Sequence, residues 1–201
     1  MGVIERRARH KEALRQQILD AAREVFVTEG YESVSMRKIA DKIEYSPTTI
    51  YLYFKDKAEL LNCLCEEILM RLGQEIEKTP PAPEPIAQLK QGMRVYINFG
   101  VNNPHDYRVA FMTSPRADPS QRPVSRRVFG YLRQDVARCI EAGKFRPVDL
   151  EMAAQVLWSA AHGITSLMVT HPGFPWVDQE RVIDEAIDNA VRGLIACPDP
   201  A

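Results

Sequence analysis

Apolar residues recur three and four positions apart along almost the whole chain, and nowhere do they alternate with polar residues long enough to make a strand. Such a chain buries its stripes by packing helix on helix, which predicts an all-α fold. The first stripe is Leu14, Ile18, Ala21, Ala22, Val25 and Phe26, and Gly30 ends it. Ser35 is placed to cap a short second helix, with Met36, Ile39, Ala40 and Ile43 turned inward. After a turn at Glu44 and Tyr45, Ser46 caps a third helix with Pro47 at its first position, expected to run to Phe54. Asp56 and Glu59 have the spacing of a capping box, and the fourth helix they open should end near Thr79.

Pro80, Pro81, Pro83 and Pro85 stop helix growth and predict a short, stiff connector. Further helices are expected around Ile86 to Phe99, from Pro104 to Met112, from Val124 to Ala142, from Asp149 through Val169, and from Asp178 to Ala196. A loop is expected over 113–123. The resulting plan is a three-helix helix-turn-helix domain over residues 1–55 and a helical bundle over 56–201.

A formal net charge of -1 excludes a uniformly basic nucleic-acid binder, so any DNA contact needs a local positive surface. Arg6, Arg7, Arg9, Lys11 and Arg15, set against Glu5 and Glu12, offer one; a solvated, frayed terminus is the plain alternative. No apolar stretch follows the charged N-terminus as in a secretory signal, and no window is apolar enough to span a bilayer. A cytoplasmic protein with reduced thiols and no membrane association is expected. Cys63-x-Cys65 is too tight for the usual zinc spacing, and Cys139 and Cys197 are scattered, so no metal is expected. A metal-responsive regulator using Cys139, His162 or His171 is the alternative. The chain has no Gly-rich phosphate loop, no nucleophile elbow and no His-Glu-x-x-His, and its four histidines are dispersed. No enzyme and no cofactor are expected; a small helical enzyme is the remote rival.

Two short helices joined by a tight turn and packed on a longer one are the parts of a helix-turn-helix, whose second helix enters the major groove. Here that helix carries Ser46, Thr48 and Thr49, small hydroxyls able to reach phosphates or base edges, and the planar Tyr51 and Tyr53. Lys55 and Lys57 follow, where cations meet phosphate. A plain helical hairpin with a polar face is the competing reading.

The run Ser35-Met36-Arg37-Lys38-Ile39-Ala40, and then Tyr45 through Leu61 with its Tyr51-x-x-Phe54 and Lys57-x-x-Leu60 pairs, resembles the TetR (tetracycline-repressor) family. So does the end of the first helix, Phe26 to Gly30-Tyr31. The likeness covers roughly Leu14 to Leu64. It implies a transcriptional regulator, usually a repressor, with double-stranded operator DNA as partner. Ser46, Pro47, Thr48, Thr49, Tyr51 and Tyr53 fall on recognition-helix positions, and Ser35 and Lys57 on phosphate-contact positions. Members of the family often have glycine where this chain has Glu44, and many have glycine where it has Thr48, so no operator carries over.

Farther on, Asn103-Pro104-His105-Asp106-Tyr107-Arg108-Val109-Ala110-Phe111 and Trp158-Ser159-Ala160-Ala161-His162-Gly163 are similar to a C-terminal class named for its Trp-His-Gly signature. That likeness implies a helical ligand-binding and dimerisation domain. Trp158 and His162, four apart, share a helix face and can form a mixed apolar and hydrogen-bonding wall; core packing is the equal alternative. Met93, Tyr96, Phe99, Tyr107 and Phe111 are candidates for the other walls around an apolar or aromatic small-molecule effector, with Phe129 in reserve. A regulator without a small effector is the alternative. The last helix repeats Val182, Ile183, Ala186, Ile187, Ala190, Val191, Leu194 and Ile195, a stripe wider than one neighbour needs. Together with Ala153, Val156, Leu157, Ala160, Ala161, Ile164, Leu167 and Met168 before it, this predicts a four-helix homodimer interface, against the alternative that both stripes close one protomer's core.

Overall fold

The structure, a computed structural model, describes residues 2–113 and 123–196. Most of the expected loop over 113–123, and Cys197, lie outside them. Every named element among the described residues is helical. The helices are α1 (Val3–Glu29), α2 (Met36–Lys42), α3 (Pro47–Tyr51), α4 (Lys57–Lys78), α5 (Pro85–Asn102), α6 (Pro104–Tyr107), a π-helical turn (Arg108–Met112), α7 (Pro123–Glu141), α8 (Leu150–Thr170) and α9 (Gln179–Arg192). No helix is long and apolar enough to cross a membrane among the described residues.

The chain divides into two compact units, Met1–Ile68 with His105–Arg122, and Leu69–Pro104 with Pro123–Ala201. The first therefore reaches past the boundary expected after residue 55 and takes in the opening of α4. Its core is Leu14, Ile18, Leu19, Ala22 and Phe26 of α1 against Ile39 and Ala40 of α2, Ile50 of α3, Phe54, and Leu60, Leu61 and Leu64 of α4. Gly30 ends α1 with a positive φ of 76°, a conformation that favours glycine. The Ser35 hydroxyl accepts the Lys38 N–H at 3.2 Å and opens α2. The turn that follows is held by the Tyr45 N–H on the Ala40 carbonyl at 3.0 Å, and Glu44 takes φ 60° there. α3 stops at Tyr51 rather than running to Phe54, because Phe54 has to turn into the core, where it is buried.

The segment from His105 to Thr113 packs within this first unit. The buried Asp106 pairs with Arg23 at 3.2 Å, and Arg23 also meets Glu67 at 3.7 Å. The Cys65 thiol donates to the Val109 carbonyl at 3.6 Å. Tyr107 is fully buried and lies against Phe111, ring centroids 4.9 Å apart.

In the second unit α8 packs against α5, α7 and α9, and α5 against α7 and α9. Glu84 caps α5 and Asp149 caps α8, each through a side chain that accepts a backbone N–H. Lys90 meets Asp188 at 2.8 Å and Arg94 meets Glu180 at 2.7 Å, tying the polar margin of α5 to α9. α9 ends at Arg192 instead of Ala196. Beyond it Phe145 and Ile195 form an antiparallel bridge, with the Arg146 N–H on the Leu194 carbonyl and the Ala196 N–H on that of Lys144. Ile183, Ile187, Val191 and Leu194 are buried inside the protomer. The inner half of the last-helix stripe is thus spent on the chain's own core. The apolar face left open belongs to α8, where Met152, Val156 and Leu167 are 61%, 49% and 50% exposed.

Candidate nucleic-acid interface

The caps that start α2 and α3 also fix which hydroxyls are available. The Ser46 Oγ accepts the Thr49 N–H at 3.2 Å and lies 2.9 Å from the Thr49 Oγ1, so these two hydroxyls serve the helix start and each other. Pro47 occupies the first turn, where its missing N–H costs nothing. Thr48 points to solvent, and Tyr51 is 54% exposed. Ile50, between them, is fully buried and anchors the helix. A short rigid helix thus presents one free hydroxyl and one phenol, a pattern suited to base edges and phosphates. Leu52, 75% exposed at the end of α3, was not singled out from the sequence, where it reads as one more apolar helix residue.

Lys57 has a second occupation. Its ammonium donates to the carbonyls of Tyr31 at 2.9 Å and Val34 at 3.3 Å and lies 4.4 Å from the centre of the Tyr31 ring. It latches the start of α4 to the loop between α1 and α2. Asp56 accepts the Glu59 N–H at 2.8 Å, and the Glu59 carboxylate reaches back to the Lys55 N–H at 2.6 Å, one residue earlier than a capping box requires. Of the expected positive surface, Arg15 is turned inward: it meets Glu67 at 3.6 Å and stands over the Phe54 ring at 5.4 Å. Arg6, Arg7, His10 and Lys11 instead line an open groove of about 550 Å³ with Tyr53. His10 was missed in the sequence, although its spacing from Arg6 places both on one helix face.

The residues considered for an effector fall in both units. In the second, the Tyr96 hydroxyl lies 3.1 Å from His162 Nδ1. Trp158 lies 5.8 Å from the His162 ring and 6.0 Å, edge-on, from Phe129. Burial lowers the pKa of His162 and favours its neutral form. Met93, Tyr96 and Phe99 are buried on α5, whereas Trp158 is 40% exposed. Tyr107 and Phe111 belong to the first unit. No group of three or more His, Cys, Asp or Glu is placed to hold a metal among the described residues, and burial pushes the Cys139 thiol up to about 11.

With this geometry in view, residues 18–64 match the model of bacterial regulatory proteins of the tetR family, and residues 89–194 match that of a tetracyclin repressor-like C-terminal domain. The second match places the C-terminal half in the family without placing it in the Trp-His-Gly class. The chain is 37% identical over 82 residues to the fatty acid metabolism regulator protein of Bacillus subtilis, covering 41% of each chain. It is 25% identical over 190 residues to the transcriptional activator FasR of Mycolicibacterium smegmatis, covering 90% of this chain and 79% of that one. Among solved structures, a tetR-family regulatory protein from Rhodococcus RHA1 superposes with a TM-score of 0.74 at 21% identity, over 92% of this chain and 98% of that one. The fatty acid degradation regulator FadR of Bacillus halodurans gives 0.73 at 20% identity, over 88% and 93%, and both likenesses speak to the fold. Two family models that together take in the helix-turn-helix and most of the helical domain make the assignment: this chain belongs to the TetR family of DNA-binding transcriptional regulators.

Proposed function

We propose that the protein binds a twofold operator as a homodimer, without catalytic activity of its own, and is released when an apolar effector enters its C-terminal helices. The observation that carries the effector reading is the Tyr96–His162–Trp158 group, which sets a hydrogen-bonding pair beside a partly exposed indole. Such a wall offers one polar handle within apolar surface, as small-molecule sites do. Regulators of fatty-acid metabolism and degradation among the similar proteins favour an acyl or similarly apolar compound. Repression is the proposed mode, although a relative at 25% identity is named an activator. For DNA, Thr48, Thr49, Tyr51 and Tyr53 are proposed to meet base edges and nearby phosphates. Ser35, Ser46, Pro47 and Lys57 hold the helix starts at which phosphate would sit.

The effector has to act by differential affinity. A compound that bound the DNA-competent and DNA-incompetent dimers equally would release nothing. α4 carries the chain from one unit into the other, so a change in its tilt would alter the spacing of the two recognition helices, which twofold sites hold near about 34–36 Å. The test is a panel of apolar acyl and aromatic compounds, scored by thermal shift and by release from duplex DNA. A compound that does both, and loses both with Trp158→Ala and Tyr96→Ala, supports the reading. Release that survives both substitutions moves the site elsewhere, and a panel without effect favours a regulator governed without a small ligand.

A further inference from the structure

We infer that the start of α1 and Tyr53 form a second clamp on the backbone of the same DNA duplex, flanking the groove that α3 enters. This rests on the reading that α3 enters DNA, and it adds a contact that the helix-turn-helix does not supply. Arg6, Arg7, His10 and Lys11 stand at positions i, i+1, i+4 and i+5 of one continuous helix, so they share a face. All four are exposed, and with Tyr53 they line a concave surface of about 550 Å³.

The charge pattern says what that surface is built to meet. Elsewhere in this unit five basic side chains are matched with carboxylates, Arg15 with Glu67, Arg23 with Asp106, Arg37 with Asp41, Lys38 with Glu29 and Lys42 with Glu24, and Lys57 is held by backbone carbonyls. No ion pair involves Arg6, Arg7, His10 or Lys11 among the described residues. The two flanking acids are turned elsewhere: Glu5 accepts the Gly2 N–H at 3.0 Å and so serves the helix start, and Glu12 faces Arg15 at 3.9 Å. A groove that concentrates unmatched cations repels itself until a polyanion fills it. Tyr53 joins this groove to α3, because it lies two residues past the last residue of that helix. The anion that reaches both places at once is a duplex backbone, with a phosphate on each strand about every 3.4 Å.

The test compares the full-length wild type with R6A/R7A/K11A and with the milder R7Q/K11Q. The changes are exposed, and alanine and glutamine are good helix formers, so circular dichroism and thermal unfolding should match wild type. Each lost phosphate contact lowers the log–log salt slope of binding by about 0.9, so the slope should fall by about 2.7 in the triple variant and about 1.8 in the double. Accordingly the triple variant's affinity deficit should be about 40-fold larger at 50 mM than at 200 mM salt. The preferred base sequence should stay unchanged, and hydroxyl-radical protection should retract at the outer flank of each half-site. An unchanged slope or footprint would overturn the clamp, and so would a folded variant that loses only binding to an acidic protein or an anionic vesicle. A Tyr51→Ala variant that keeps its sequence preference would instead strike at the recognition helix, so the two failures are distinguishable.

Discussion

The two compact units leave opposite kinds of surface uncovered. Around α3 and the start of α1 the exposed groups are, apart from Leu52, mainly polar and cationic, among them Thr48, Tyr51, Arg6, Arg7 and Lys11. Along α8 they are Met152, Val156 and Leu167. The first surface gains most from a polyanion and the second from another apolar face, so each is suited to the partner that the other would reject. The comparison also separates α8 from α9. Both helices carry apolar stripes, but that of α9 turns Ile183, Ile187 and Val191 into its own protomer.

That separation is where the largest effect lies. Ile187→Glu, which from the sequence alone would be chosen to split a dimer, should instead unfold the second unit. An unpaired carboxylate buried beside α5 and α8 costs about 3–5 kcal/mol, read as a collapse of the thermal transition. Val156→Glu on α8 should leave each protomer's helicity and unfolding intact while sedimentation changes from dimer to monomer, because a twofold interface takes the charge twice. If Val156→Glu unfolds the chain and Ile187→Glu does not, the inner and outer faces have been exchanged.

What could be read from the sequence follows a physical line. Caps are local, and Ser35, Ser46, Asp149 and Asp178 all sit where their short polar side chains accept the N–H three residues on. A stripe, by contrast, tells that a face is buried but not against which neighbour, and so Ile187 and Val156 read alike. The same holds for Lys57: its place just beyond the recognition helix and the family resemblance suggest a phosphate contact, whereas only the fold brings the carbonyls of Tyr31 and Val34 to its ammonium. Nor did the pattern of residues 105–112 announce that Asp106 would pair with Arg23, more than eighty positions away. In the sequence Leu52 and Tyr53 continue a helical-looking run past the end of α3. It is burial of Phe54 that breaks it.

Smaller effects sharpen the contrast further. Lys57→Ala should cost about 1.5 kcal/mol of stability, since it strips charged donors from two loop carbonyls, before any loss of DNA affinity is counted. Denaturant unfolding checks this, and an unchanged midpoint with weakened binding would return Lys57 to a purely phosphate-facing role. The smallest effect expected is a pH effect at His162. Burial depresses its pKa, so the folded state favours the neutral ring; stability should be intact above the ordinary histidine value of 6.5 and decline as pH falls below it. His162→Gln should flatten that acid-side decline, and equal declines in wild type and variant would assign it to other groups.

The most direct test of α3 as the reader is selection from a random duplex library, carried out in parallel on the wild type and on Tyr51→Ala. Tyr51 is mostly solvent-exposed, so the substitution should spare the fold. The wild type should enrich an inverted repeat, and Tyr51→Ala should lose discrimination of about 1–3 kcal/mol at the same base pair in each half-site while keeping the repeat and its spacing. An identical motif from both proteins, or a motif without twofold symmetry, would contradict the placement of α3 in the major groove of a dimer's operator.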